Sequence, residues 1–117
     1  MLSPLIGEPE YHFHLASRYF SQGNDLRSAA EIRIAAALLK IEAGRHGATN
    51  KAELDVQAQG LDQLATEVSK GSVKSQQLNN VFASADLALA RHYHQMAEAS
   101  ADENAREKKR LLAPWHG

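Results

Sequence analysis

The chain contains no cysteine, and proline, glycine and aromatic residues are scarce. Its 117 residues include 3 Pro and 7 Gly, and aromatic side chains make up only 6%. Without cysteine, the chain cannot form disulfides, thiolate metal sites, iron–sulfur clusters or a covalent c-type haem attachment. The remaining composition, rich in alanine and poor in helix-breaking residues, favours closely packed helices over sheets.

The chain also lacks an excess of charge of one sign and any long apolar run. It carries 13 Lys+Arg against 14 Asp+Glu, a net charge of −1. We expect no nucleic-acid partner, because proteins that bind nucleic acid usually carry a clear basic excess. We expect no membrane span, because no stretch reaches about 18 apolar residues. The N-terminus lacks a signal-peptide pattern, which predicts a cytoplasmic protein, or a periplasmic one if this is a processed form.

Turn and capping residues divide the chain into four helical segments. Gly23 can end the first helix and Asn24 can cap the second. Asn50 and Glu53 have the spacing of a capping box before the third helix, and Gly71 ends it. Because short connections favour antiparallel neighbours, the predicted fold is all-α, an antiparallel up-and-down four-helix bundle.

The chain divides into an irregular N-terminal arm, a helical bundle and a C-terminal tail, at residues 1–8, 9–113 and 114–117. Pro9 suits a first helical turn, where its missing N–H would have no partner. After Ser100 the sequence becomes polar. This part either continues the fourth helix into solvent or forms a short fifth helix capped by Asp102, and Pro114 ends either one.

The second helical segment carries two apolar stripes. One stripe consists of Leu26, Ala30, Ile34, Ala37, Leu38 and Ile41. The other consists of Ile32, Ala35 and Leu39. Because apolar residues cover more than half of its circumference, we expect this helix to be the central one.

Two stretches, "YHFHLA" and "ALARHYHQM", each place two histidines at i and i+2. On a helix these positions lie about 200° apart, so neither pair can chelate one ion. His12 and His92 instead fall on the apolar sides of their helices, whereas His14 and His94 point away. Helices one and four are neighbours in an antiparallel ring, so His12 and His92 could face each other, with Met96 nearby.

Three interpretations of His12 and His92 stay open. They can be packing residues bonded to a carbonyl, hydroxyl or carboxylate. They can bind Cu, Zn, Ni or haem, with Met96 as a third ligand. They can also form a pH-responsive pair. Catalysis is not expected, since Arg27 and Glu31 have ordinary ion-pair spacing and no Glu-x-x-His motif or phosphate-binding loop is present.

The C-terminal region supplies the candidate interaction residues. They form one basic run and a single tryptophan: Arg106, Lys108, Lys109, Arg110 and Trp115. The basic run is either a solvated helix end or a contact for an acidic partner or a phosphate. The tryptophan either packs back on the bundle or docks on a partner.

The stretches "HLASRYFSQGNDLRSAAEIRIAAALLKIEA" and "FASADLALARHYHQMAEA" resemble bacterial YfdX-type helical proteins and related uncharacterised proteins, over Tyr11 to Ala99. The resemblance implies an all-α, stress-associated protein without known catalysis. Proteins of that type are usually exported, and no ligand residues carry over.

We therefore expect a non-catalytic bundle with a protein-interaction or stress-response role. Its partner would be another protein or a second copy of the chain, associating through alanine-rich faces, and it would need no cofactor. The alternative is a transition-metal or haem binding protein that uses His12 and His92.

Overall fold

The computed structural model describes residues 8–45 and 50–116, with side chains as far as residue 108. These residues form four α-helices: α1 (Glu8–Ser21), α2 (Asp25–Ala43), α3 (Lys51–Ser69) and α4 (Ser75–His116). The predicted all-α class is confirmed. Helix α1 begins one residue before the predicted boundary, and residues 1–7 of the predicted arm lie outside the described part.

The turns lie where the glycine and capping residues of the sequence predict them. Gly23 and Gly71 adopt φ of 78° and 74°, left-handed conformations that glycine enters without steric cost. The side chain of Asn24 accepts a hydrogen bond from the backbone N–H of Arg27 at 3.2 Å, as expected of an N-cap. Asn50 differs, because it makes no side-chain cap bond and its Nδ2 donates instead to Glu53.

Neighbouring helices run antiparallel around the bundle. Between α3 and α4, Glu67 contacts Gln77 and Glu53 contacts Arg91, so residue numbers fall along one helix as they rise along the next. Between α1 and α4, Phe13 stacks on Phe82 with ring centroids 4.8 Å apart. The antiparallel four-helix bundle predicted from the sequence is confirmed.

Alanine and leucine fill the core. The buried alanines are Ala16, Ala29, Ala35, Ala36, Ala43, Ala58, Ala65, Ala85 and Ala88. Small side chains let helix axes approach closely, and this brings backbone groups within reach of side chains on the next helix. The buried hydroxyl of Ser28 on α2 donates to the carbonyl of Ala16 on α1 at 2.8 Å.

Helix α4 extends beyond the other three helices. Its 42 residues span about 63 Å at the usual helical rise, and the molecule measures 69 × 30 × 20 Å. Every described side chain from Ala97 to Lys108 is exposed. We call residues 97–116 the projecting segment.

The projecting segment is continuous with the rest of α4. The alternative of a separate fifth helix capped by Asp102 is therefore wrong. The helix also continues past Pro114 to His116, through the predicted tail. A proline inside a helix removes one backbone hydrogen bond and crowds the carbonyl four residues earlier, and here only two helical residues follow it. None of the described helices has both the length and the apolar character needed to cross a bilayer.

Candidate interaction surfaces and histidine–glutamate pairs

One side of α2 faces solvent although it is apolar. The stripe of Ile32, Ala35 and Leu39 is fully buried. The other predicted stripe is mostly exposed, and we call its five exposed members the outer row: Leu26, Ala30, Ile34, Ala37 and Ile41. In the outer row Leu26 is 74%, Ile34 42% and Ile41 64% exposed.

Helix α2 packs most extensively on its neighbours, as expected of the central helix, but its outer side is exposed. It packs between α1 and α3 and reaches α4 across the bundle. In a four-helix ring each helix has two neighbours and one diagonal contact, so its outer side stays open. Both stripes of α2 are apolar enough for a core, but only one has helices to cover it.

Basic residues border the outer row on both sides. At 100° per residue, Arg33 and Lys40 lie along one edge and Arg27 along the other. Arg45 follows two residues after the end of the helix, near Ile41 and bonded to Glu42. Lys40 is bonded to Asp62 of α3 at 2.8 Å. Arg27 donates to the hydroxyl of Tyr19 at 3.2 Å.

The three carboxylates of α2, Asp25, Glu31 and Glu42, lie away from the outer row on the same helical projection. The exposed side of α2 therefore combines apolar residues with cationic edges. We call Arg27, Arg33, Lys40 and Arg45 the basic edges.

A cavity of about 330 Å³ adjoins the C-terminal end of the outer row. It is lined by the apolar groups of Pro9, Leu38, Ile41 and Tyr93 and by the charged groups of Glu8, Glu42 and Arg45. Burial, followed by the carboxylates of Glu42 and Glu10, raises the pKa of Tyr93, so its hydroxyl keeps its proton at neutral pH. The cavity thus has an apolar wall, one hydroxyl donor, one guanidinium and two carboxylates.

Behind this cavity lies a buried histidine–glutamate pair. His92 of α4 is completely buried, and its Nε2 donates to Oε2 of Glu42 on α2 at 2.6 Å. Its other ring nitrogen, Nδ1, is buried and has no hydrogen-bond partner in the described part of the protein. Because a carboxylate oxygen can only accept here, the proton of this hydrogen bond lies on Nε2.

Glu42 also receives a second donor. The guanidinium of Arg45 donates to its Oε1 at 2.9 Å. Burial by itself would raise the pKa of Glu42, but the hydrogen bonds from His92 and Arg45 outweigh burial and lower it. Glu42 is therefore a stable carboxylate that bonds both the buried imidazole and an exposed cation.

The second histidine–glutamate pair lies between α1 and α2. Nδ1 of His12 donates to Oε1 of Glu31 at 2.6 Å. Both side chains are about one-fifth exposed, at 19% and 18%. Because Glu31 bonds His12, the predicted ion pair between Arg27 and Glu31 is replaced by this contact and by the contact of Arg27 with Tyr19.

The structure does not bring His12 and His92 to one site. Their partners Glu31 and Glu42 are eleven positions apart on α2, about 16 Å of helix. Within the described residues, no three His, Cys, Asp or Glu side chains come together in a way that could hold a metal ion. Met96 is half-buried, one turn after His92. Binding of Cu, Zn, Ni or haem by His12, His92 and Met96 stays a prediction from the sequence.

The outward histidines and the basic run lie in solvent. His14 and His94 are exposed, and His94 is 3.6 Å from Glu98 one turn later. Arg106 and Lys108 are exposed on the projecting segment. The side chains of Lys109, Arg110 and Trp115 lie outside the described part, so their predicted contacts stay predictions.

Sequence reasoning missed Glu42 and Arg45 altogether. Glu42 is hard to detect because its partner His92 is fifty residues away on a diagonally opposite helix. The available signal was its spacing from Glu31, since eleven residues make about three whole turns and place both carboxylates on one side of an otherwise apolar helix. That spacing, together with histidines on the inner sides of α1 and α4, predicts two separate pairs.

No protein-family model, no curated protein and no solved structure matches this chain. The resemblance to YfdX-type proteins therefore stays a prediction from the sequence.

Proposed function

We propose that this is a non-catalytic helical-bundle protein that acts through protein–protein interaction and self-associates through the projecting segment. The observation that carries the proposal is the exposure of every described side chain from Ala97 to Lys108. Isolated helices of about 15 residues are marginal in water, and packing supplies most helical stability in proteins. A partner helix would supply that packing. The stress-response setting implied by the family resemblance is part of this proposal.

The charges of the projecting segment support a second copy as the partner. The part before Asn104 carries Glu98, Asp102 and Glu103. The part after Asn104 carries four basic residues and one acidic residue: Arg106, Lys108, Lys109, Arg110 and Glu107. Two antiparallel copies centred on Asn104 place the acidic half of each beside the basic half of the other. Opposite charges at such flanking positions set the orientation of paired helices.

The small side chains of the projecting segment are compatible with close pairing. Ala97, Ala101, Asn104 and Lys108 follow a 3–4 spacing that places them along one side of α4. Three of these four residues lack a bulky or charged side chain, so two helix backbones can approach along this side. In this proposal, Ala97 and Ala101 serve as the alanine-rich face through which the sequence predicts self-association.

A non-catalytic role is supported by the burial of the inner histidine of α4. His92 is fully buried and bonded to Glu42. A general base needs to reach a substrate proton, and burial keeps the imidazole of His92 from doing so. The bond from His12 to Glu31 does not bear on this point, because a carboxylate on one ring nitrogen also orients the imidazole of catalytic bases.

Charge reversal tests the self-association. Analytical ultracentrifugation of the full chain should give a reversible dimer, and the double change Glu98→Lys, Asp102→Lys should weaken it about tenfold or more. The double change Arg106→Glu, Lys109→Glu should do the same, and mixing the two variants should restore a heterodimer. The matched control is Lys70→Glu, Lys74→Glu, at exposed positions between α3 and α4, which should leave the dimer unchanged.

Single cysteines test the antiparallel orientation, because the native chain has none. Asn104→Cys, at the centre of the overlap, should form an intermolecular disulfide under mild oxidation. Ala97→Cys should not, because antiparallel pairing places it opposite residue 111. Ala99→Cys, on the other side of the helix, is the second control. A chain that stays monomeric at high concentration, or an Ala97→Cys dimer, would contradict the proposal.

A further inference from the structure

The outer row and basic edges of α2 form a second surface, separate from the projecting segment. Leu26, Ile34 and Ile41 expose large apolar side chains along one side of a helix whose opposite side is the core. An exposed row of this kind on an ordered helix is typical of an interaction site. Its length, from Leu26 to Ile41, is about four turns.

The charges around the outer row indicate what kind of partner it can bind. Arg27, Arg33 and Lys40 border the outer row with no carboxylate of α2 between them, whereas Arg45 is bonded to Glu42. Lys40 meets Asp62 in an exposed ion pair, and such pairs contribute little and exchange partners readily. Arg33 has no ion pair among the described residues. Two copies of this face would oppose like charges, which disfavours α2-to-α2 pairing.

The cavity at the end of the row argues for a peptide. Its apolar wall, formed by Pro9, Leu38, Ile41 and Tyr93, is continuous with the outer row through Ile41. At about 330 Å³ it can hold one large apolar side chain. Helices that dock in apolar grooves use such side chains at i, i+3, i+4 and i+7.

We propose that the outer row binds an acidic amphipathic helix of another protein. The apolar side of that helix covers Leu26, Ile34 and Ile41, and one of its large apolar side chains enters the cavity. Its flanking carboxylates bond the guanidinium and ammonium groups of the basic edges. This interaction is independent of self-association, because it uses α2 and leaves α4 beyond Met96 untouched.

A pair of designed peptides tests the proposal by fluorescence anisotropy with the full chain. Both peptides carry leucines at every third or fourth position over about five turns, with glutamate at the flanking positions in one and lysine in the other. The glutamate peptide should bind, more weakly at high salt, and the lysine peptide should bind about tenfold more weakly or worse.

Variants locate the binding site. Ile41→Asp and Arg33→Glu should each weaken the glutamate peptide about tenfold. Val56→Asp on α3 is the matched control, since Val56 is 62% exposed, against 64% for Ile41, but lies on another helix. It should not change binding. Circular dichroism of each variant verifies that the helices are retained, and the chain with Glu98→Lys and Asp102→Lys should bind the peptide as well as wild type.

Four outcomes would overturn the proposal. The two peptides could bind equally, or Ile41→Asp could leave binding unchanged. Vesicles of phosphatidylglycerol could bind the wild type but not Ile41→Asp while the peptide does not bind at all, which would assign the surface to membranes. Ile41→Asp could also abolish dimerisation, which would assign the surface to a second copy of the chain.

Discussion

The two histidine–glutamate pairs have the same hydrogen-bond length but lie in different surroundings. His12 and Glu31 lie at the edge of the α1–α2 contact, each about one-fifth exposed, and water can replace either partner. His92 is fully buried, and Glu42 bonds it on one side and Arg45 on the other. The comparison teaches that equal geometry does not mean equal energy, because only a buried group left without its partner pays the full cost of desolvation.

The largest effect is expected from removing the buried imidazole. His92→Ala creates a cavity in the core and deletes the diagonal bond between α4 and α2. It should lower the free energy of unfolding by about 2–4 kcal/mol, measured by urea denaturation followed by circular dichroism. His92→Leu is the control. It fills the space without a polar atom and should cost about half as much, since Glu42 keeps Arg45. If both variants lost the same free energy of unfolding, the missing hydrogen bond, and not the cavity, would account for the destabilisation.

A smaller effect that depends on pH is expected from neutralising Glu42. The pKa of Glu42 is lowered in the folded state, so its stabilisation is complete above the unfolded value of about 4.3 and is lost as pH falls through the folded pKa. Glu42→Gln keeps an acceptor for His92 but loses the charge. It should be about 1 kcal/mol less stable at pH 7.

The difference between wild type and Glu42→Gln should shrink below about pH 4.3, because the unfolded glutamate then takes up protons while the folded one, with its lowered pKa, still resists them. Melting temperatures of both proteins from neutral to acid pH measure this difference in stability. Glu31→Gln gives the same measurement for the exposed histidine–glutamate pair. A difference that stays constant from neutral to acid pH would contradict the role assigned to the charge of Glu42.

The exposed pair should tolerate the loss of its histidine. His12→Ala removes one hydrogen bond at the edge of the bundle, where water can solvate Glu31. It should cost less than about 1 kcal/mol in the same urea experiment. If His12→Ala destabilised the protein as much as His92→Ala, the contrast between the two pairs would be lost.

The smallest effect is expected from chelators. The partners of the two histidines lie about 16 Å apart along α2, and no three His, Cys, Asp or Glu side chains of the described residues come together as a metal site. Protein purified without a histidine tag should keep its melting temperature in EDTA. Elemental analysis should find no stoichiometric Cu, Zn or Ni, and the visible spectrum no Soret band. One equivalent of metal that is lost in His12→Ala, His92→Ala would instead support the alternative derived from the sequence.

Much of the bundle could be predicted because its helix boundaries are local. Gly23, Asn24 and Gly71 specify turns through the conformations and caps they permit, and these need no knowledge of distant residues. The solvent exposure of α2 could not be predicted in this way. Both of its stripes are apolar, and which one is buried depends on the number of neighbouring helices.

The candidate sites needed distances that a single sequence does not contain. The sequence placed His12 and His92 on inner sides, but the selection of Glu31 and Glu42 as partners depends on how far each helix slides along α2. The basic run was visible as a composition feature, whereas its position on a segment that leaves the bundle depends on where α1 to α3 end. The side of the helix on which each histidine lies could therefore be predicted, whereas the residue that it bonds on another helix could not.

The length of α4 determines what optical probes can report. Trp115, the only tryptophan, lies in the last turn of this helix, about 28 Å of helical rise beyond Met96. Its emission should therefore change when the projecting segments meet, and at concentrations where the chain is monomeric it should stay nearly constant while the core unfolds. Tyrosine emission reports the bundle instead, because Tyr11 and Tyr19 lie in α1 and Tyr93 lies in α4 before the projecting segment. A titration followed in both spectral channels would separate assembly from unfolding in a single sample.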